Sequence, residues 1–151
     1  MKKSRKSFTL IELLVVIGII AVLATVVFVA LDPAKRFADA RNARRWSDVE
    51  SILTAVHQSI VDSGGLIPVG VTTSEQQLGT CTAGGATACV GAADACTDLT
   101  TVLAKYLKTI PQDPNGGTAG TTKYSVVRDA NNIVTVKACA AENGSSISAS
   151  R

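Results

Sequence analysis

The chain has 151 residues, 46% hydrophobic and 18% charged, enough length and apolar content for one ordinary domain, which excludes disorder throughout. Its formal charge of +3 comes from 15 basic and 12 acidic side chains, and Lys2, Lys3, Arg5 and Lys6 carry four of the positive charges. Beyond that leader 11 basic residues face 12 acidic ones with no long run of like charge, so no nucleic-acid-binding patch is predicted.

Ser7 to Glu12 read Ser-Phe-Thr-Leu-Ile-Glu, and an apolar run follows from Leu13 to Ala24 that continues past Thr25 to Leu31. The stretch from Leu10 to Leu31 has about the 20 residues that a helix needs to cross a bilayer. Glu12 lies inside it, where a carboxylate costs roughly 2.5 to 3.5 kcal/mol on insertion scales and calls for a partner. Cutting the chain between Ser7 and Phe8 would create an amino terminus four residues from Glu12, one helical turn away, within reach of a side chain that leans toward the helix start.

Asp32 followed by Pro33 predicts a helix break, because aspartate caps a helix and proline suits its first turn. Val49, Ile52, Leu53, Val56 and Ile60 then recur at three- and four-residue steps and predict an amphipathic helix ended by Gly64-Gly65. The basic residues Lys35, Arg36, Arg41, Arg44 and Arg45 read as a solvated helical face with Lys35/Asp39 and Arg44/Asp48 pairs. Contact with neighbouring subunits or anionic lipid is the alternative, and Trp46 suits either. His57 has no ligand-spaced companion and reads as a packed or half-exposed side chain.

From Val71 to Asp98 the chain is rich in threonine, glycine and alanine without helical or strand periodicity, which predicts a long loop. Cys81, Cys89 and Cys96 lie in it, and Cys139 lies further on. The intervals of seven, six and forty-two residues do not match zinc pairs, so disulfides are expected, with all three pairings open. A Cys81/Cys89 and Cys96/Cys139 arrangement would contribute about 2.6 and ~4 kcal/mol in the loop-entropy model. Disulfides place the bulk of the chain outside the cytoplasm.

Thr97 or Asp98 is expected to cap a short helix with Leu99, Val102, Leu103, Tyr106 and Leu107 along one face, packed on Val49 to Ile60. Tyr124–Arg128 and Ile133–Ala138 predict an antiparallel hairpin, and Ile147–Ser150 a third short strand. Asp113, Asn115 and Asp129 lack EF-hand spacing, so no metal site is expected. No nucleophile, base and orienting group can be assembled, and no phosphate-binding glycine loop follows a strand, so neither an enzyme nor a bound cofactor is expected. Asn143-Gly144-Ser145 matches a glycosylation acceptor, a signal short enough to arise by chance.

The basic leader, the Ser7 to Glu12 sequence, the apolar run and the amphipathic continuation together resemble the amino terminus of bacterial type IV pilins and pseudopilins, over about the first sixty residues. Ser7 stands where that family usually has glycine, and Val29 where many major pilins have proline. The resemblance implies an α+β fold in which a long, kinked amino-terminal helix packs on a small antiparallel sheet with a disulfide-tied loop. It also implies a leader at 1–7, a transmembrane and filament-core helix at 8–31, and a globular domain at 32–151 that includes the amphipathic half of the helix.

In that family a prepilin peptidase cuts after the residue matching Ser7 and methylates the new amino terminus, here Phe8. The fifth residue of the processed chain, here Glu12, meets the amine of a neighbouring subunit. The implied partners are further copies of the chain, the peptidase, an assembly platform protein with its ATPase, minor pilins, and the cytoplasmic membrane for the single-pass precursor. The expected product is an extracellular filament for adhesion, twitching motility or DNA uptake, or alternatively a periplasmic pseudopilus of type II secretion. A signal-anchored extracytoplasmic domain is the second alternative, since Val22-Leu23-Ala24 offers a passable signal-peptidase site and the basic residues after the span rival those before it. Aromatics are only 4% of the chain, which leaves electron conduction along stacked rings without support.

Overall fold

The computed structural model describes residues 8–151, so the leader and Ser7 lie outside the described residues. The chain forms two compact units, one ending at Phe37 and one from Ala38 to Arg151.

The first unit contains helix α1, Leu10–Leu31, and the start of helix α2, Pro33–Asp62. Straight-chain and β-branched apolar residues run all round α1, and none of its residues is buried within the subunit. It ends where Asp32 enters the left-handed region (φ 38°). The Asp32 carboxylate accepts from the Lys35 backbone N–H at 3.4 Å, and its carbonyl accepts from Arg36 N–H at 3.2 Å. Asp32 thus ends one helix and caps the next, with Pro33 in the first turn where its missing N–H costs nothing, as the sequence predicts.

In the second unit, α2 stops in a paired glycine cap. Gly64 N–H donates to Val61 O and Gly65 N–H to Ile60 O, with Gly64 at φ 73°, a conformation that side-chain-bearing residues adopt at a cost. The buried face of α2 comprises Ala38, Asn42, Arg45, Val49, Ile52, Leu53, Ala55, Val56 and Ser59. It begins eleven residues ahead of the predicted apolar stripe and continues the same helical spacing. Its leading turns are polar, so a search for apolar periodicity does not find them.

The sheet has five strands, β1 (Gln76–Leu78), β2 (Ala93–Thr97), β3 (Tyr124–Arg128), β4 (Val134–Ala138) and β5 (Ile147–Ser150), in the order β2-β1-β3-β4-β5. Only β1 and β2 run parallel. The hairpin and the third strand form as expected, with Val126 opposite Val136 and Ala138 opposite Ile147. One core joins Val49, Ile52, Leu53 and Val56 of α2 to Leu78, Tyr124, Val126, Val134, Val136 and Ile147 of the sheet. Leu99 and Leu103 are buried in that core and Tyr106 and Leu107 pack against it, whereas Val102 of the predicted stripe is 39% exposed. The regular part of that short helix, α4 (Thr100–Leu103), has Leu99 as its N-cap instead of Thr97 or Asp98, while the Asp98 carboxylate accepts from Thr100 N–H at 2.8 Å.

The expected long loop from Val71 to Asp98 instead holds β1, the single-turn helix α3 (Gly85–Ala88) and β2. Its strands are invisible to periodicity because they are short, rich in small or polar residues, and held by distant partners. Ala93 N–H donates to Glu75 O, and Gln76 pairs with Val126 fifty residues away. Gln77 is wholly buried, with its amide donating to Gly85 O at 3.0 Å and accepting from Lys123 N–H at 3.1 Å. At Gly85 a Cβ would lie 2.8 Å from Asp94 O, so α3 approaches β2 more closely than alanine allows.

Candidate assembly site

At the entrance to α1, Phe8 is 76% exposed, and Thr9, with extended backbone, is the N-cap. The Glu12 carboxylate accepts from Thr9 N–H at 2.8 Å and from the Thr9 hydroxyl at 2.7 Å, while Glu12 N–H donates to Thr9 Oγ1 at 3.3 Å. This reciprocal capping box satisfies orphan donors of the first turn and gives Glu12 neutral partners in its own uncut chain. The requirement for a partner read from the sequence is therefore met in part by Thr9, which brings no positive charge. The Thr-x-x-Glu signal was legible in the sequence. Past this turn, α1 presents apolar side chains on every face, from 46% exposed at Val16 to 73% at Val29. It is long and apolar enough to cross a membrane, about 33 Å at 1.5 Å per residue.

Residues 2–28 match the family model described as the prokaryotic N-terminal methylation motif. The chain carries the type IV pilin and pseudopilin signature. No curated protein and no solved structure matches the chain significantly. With its exposed apolar α1, the prepilin motif fits a membrane-anchored precursor that is later assembled into an extracellular filament, and it points to a structural subunit. The motif also implies processing by prepilin peptidase and assembly with the pilus machinery.

The pilin-like globular unit is held by charge as well as by its apolar core. Arg45 has no solvent exposure; its Nε and Nη2 donate to Asp113 at 2.6 and 3.0 Å, and its Nη1 donates to Glu142 at 2.7 Å and to Asn42 Oδ1 at 2.8 Å. Arg41 grips the same Glu142 through two bonds of 2.7 and 2.6 Å, and Asn42 bonds to the Glu142 backbone at both its carbonyl and N–H. One turn and a half of α2 thus clamps the segment around Asp113 and the loop after β4. These hydrogen bonds pull the Glu142 carboxyl down to about 2, Arg41 contributing most and Arg45 next.

The solvated basic face expected for the arginines therefore fails at Arg41 and Arg45. Their partners lie 68 to 101 residues away, and no local pattern points to them. Arg44 keeps the expected exposed contact with Asp48, at 3.8 Å. Asp113 and Asp129, weighed as oxygen ligands, are engaged otherwise: Asp113 by Arg45, and Asp129 by the N–H groups of Asn131 and Ile133 in the hairpin turn. Near the core edge, Tyr124 donates to Asp48 at 2.8 Å, and burial first, then this bond, raises its phenol above the usual range.

All four cysteines are in disulfides, but the pairs are Cys81–Cys96 and Cys89–Cys139, not the arrangement used for the sequence-based energies. Loops of 15 and 50 residues correspond to about 3 and ~4 kcal/mol. Cys81–Cys96 ties the segment after β1 to the outer strand β2, where Cys96 N–H also donates to Cys81 O, and Cys89–Cys139 ties α3 to the end of β4. Cys81 lies three residues beyond β1, where the chain has turned back toward β2, and the spacing alone does not reveal that contact.

Proposed function

We propose that this chain is the structural subunit of a type IV pilus filament. Prepilin peptidase cuts between Ser7 and Phe8, residues 1–7 leave, and Phe8 becomes the methylated amino terminus. The segment 8–31 then leaves the bilayer as filament core, and 32–151 forms the outer domain. The observation that carries this reading is a methylation motif laid over a helix with no buried residue in its own subunit. An apolar surface of that extent needs lipid or other protein around it.

Glu12 supplies register. In lipid or in a dry filament core an unpaired carboxylate is costly, and so is an unpaired amine. A neighbour's Phe8 amine gives Glu12 the cation that Thr9 does not, while removing the cost of the amine. Stacking in any other register leaves both charges unmatched. Further copies of the chain are thus its main partners, with the platform protein, its ATPase and minor pilins completing the machinery.

Amino-terminal sequencing and electron microscopy of sheared surface material test this reading together. Long surface fibres whose subunit begins at methylated Phe8 support it. Short fibres confined to the periplasm would assign the chain to a type II secretion pseudopilus instead. An uncut amino terminus on a membrane-bound, unpolymerised protein would leave only the signal-anchored domain.

A further inference from the structure

The two edges of the sheet differ. Along β2 the outer edge is occupied: Cys96 N–H donates to Cys81 O at 3.0 Å, the Asp94 carboxylate accepts from Gly84 N–H at 2.9 Å, and Gly85 lies against Asp94 O. The other edge, β5, has no such cover among the described residues. Val134 and Arg151 exchange both backbone bonds at 3.0 Å, so the alternation of an antiparallel ladder turns Ile147 and Ala149 toward β4. The N–H and C=O groups of Ser148 and Ser150 therefore point outward. Both serines are exposed, and Ile147–Ser150 has no proline, charge or bulge to turn away another strand.

We infer that β5 is a lateral contact between filaments, where it pairs antiparallel with β5 of a second copy of this chain. The inference rests on the filament reading of the proposed function. With the β2 edge closed, the same open edge must serve both copies, which makes the contact isologous. A two-fold axis beside Ala149 sets Ser148 opposite Ser150 of the second copy, and the outward groups of these residues then form four backbone hydrogen bonds. Serine faces serine and alanine faces alanine, so no side chain clashes. The two Arg151 side chains fall at opposite ends of the pair, about 13 Å apart at ~3.3 Å per residue, beyond the Debye length of about 8 Å at physiological salt.

The second copy belongs to another filament. Subunits of one filament stack head to tail, and the screw operation that relates them makes heterologous contacts, not isologous ones. Four residues of strand bury far less than the roughly 1,000 Å² of a stable interface, so two separate subunits do not hold together this way. A filament repeats the edge at every subunit, and another filament of the same chain carries the matching repeat, so weak contacts add along the length. A single-copy partner gains nothing from that repetition.

The test uses filaments sheared from cells, with electron microscopy scoring the fraction that lie side by side. Ser148→Pro combined with Ser150→Pro removes the outward N–H groups and leaves the β4 bonds in place. We expect filament yield and length to hold while the paired fraction falls at least about threefold. A second pair of variants does not depend on proline: Ser148→Cys filaments are mixed with Ser150→Cys filaments under mild oxidation. Opposite residues of a bonded pair lie about 5.5 Å apart between Cα atoms, within disulfide reach, whereas like positions across the two-fold lie about 8 Å apart, outside it. The mixture should give at least about fivefold more covalent dimer than either variant alone.

Pairing that persists in well-formed proline filaments overturns the contact, and so does equal cross-linking in the mixture and in the single variants. Slow hydrogen exchange at Ser148 and Ser150 in well-separated filaments also overturns it, because a neighbour in the same filament would then cover the edge. Filaments of the unsubstituted chain that stay single at high concentration refute the contact alone. If that chain forms no filaments, the filament reading itself has failed and the contact falls with it.

Discussion

Helix α1 and the buried stretch of α2, Ala38 to Asp62, are similar in length and opposite in use. Leu10–Leu31 carries one charged residue and buries nothing in its own subunit, whereas the far more polar stretch of α2 supplies nine buried residues. Apolar content and burial within the fold are thus separated in this chain. The core is built by spacing on α2, Val49, Ile52, Leu53 and Val56 meeting the sheet and Asn42 and Arg45 meeting charged partners, while the hydrophobicity of α1 is held for lipid and for other subunits. A substitution in α1 should therefore spare folding and harm assembly, and one in α2 should do the reverse.

The largest break in that contrast is expected at Arg45. Arg45→Met leaves Asp113 buried without its cation, and the globular unit should lose about 3 to 5 kcal/mol in denaturant unfolding. An unchanged midpoint would show that the clamp is not what holds the loops to α2. Next come the disulfides: replacing Cys89 and Cys139 by serine should cost about 4 kcal/mol, and replacing Cys81 and Cys96 about 3. The reverse ranking, measured by thermal melting of the two double variants, would mean that strain or denatured-state structure outweighs loop length.

On the α1 side, Glu12→Gln should leave the unfolding of the globular unit unaltered while filament yield drops about tenfold or more, equivalent to ~1.4 kcal/mol. Normal polymerisation of the processed variant would sink the register role given to Glu12.

Acid sharpens the comparison further. The folded state holds Glu142 at about 2, below its value in an unfolded chain, so the contribution is fully present above the unfolded value, where both states are ionised, and between the two values the unfolded state binds more protons. That contribution is lost as pH falls from about 4.5 toward 2, and Glu142→Gln should flatten the dependence in that window alone. The smallest effect is expected at the exposed Lys105/Asp62 pair, 2.5 Å apart, where Lys105→Ala should leave the unfolding midpoint essentially unmoved. A larger loss would mean that Tyr106, which shares Asp62 at 2.7 Å, depends on the lysine for its place on the core.

Legibility tracked the range of the interactions. The capping residues Thr9 and Asp32, the glycine stop at Gly64, the hairpin of β3 and β4 and the stripe from Val49 to Val56 all rest on neighbours within a few residues, and each can be read from the chain. The arm from Val71 to Asp98 looked like a loop because β1 and β2 draw their hydrogen bonds from partners across the sheet, not from a side-chain pattern. Arg45 looked like surface because its helical position says which face it occupies but not that Asp113 and Glu142 await it there.

The amino-acid sequence by itself determined the prepilin motif, the membrane-length helix and its break at Asp32, because these depend on residue type and local spacing. It also marked four cysteines for oxidation without saying which meet. Only the tertiary structure decided the pairs Cys81–Cys96 and Cys89–Cys139, the parallel β1/β2 contact and the burial of Arg45. Each of these joins groups distant along the chain, and it is the packing of α2 on the sheet that brings them within bonding distance.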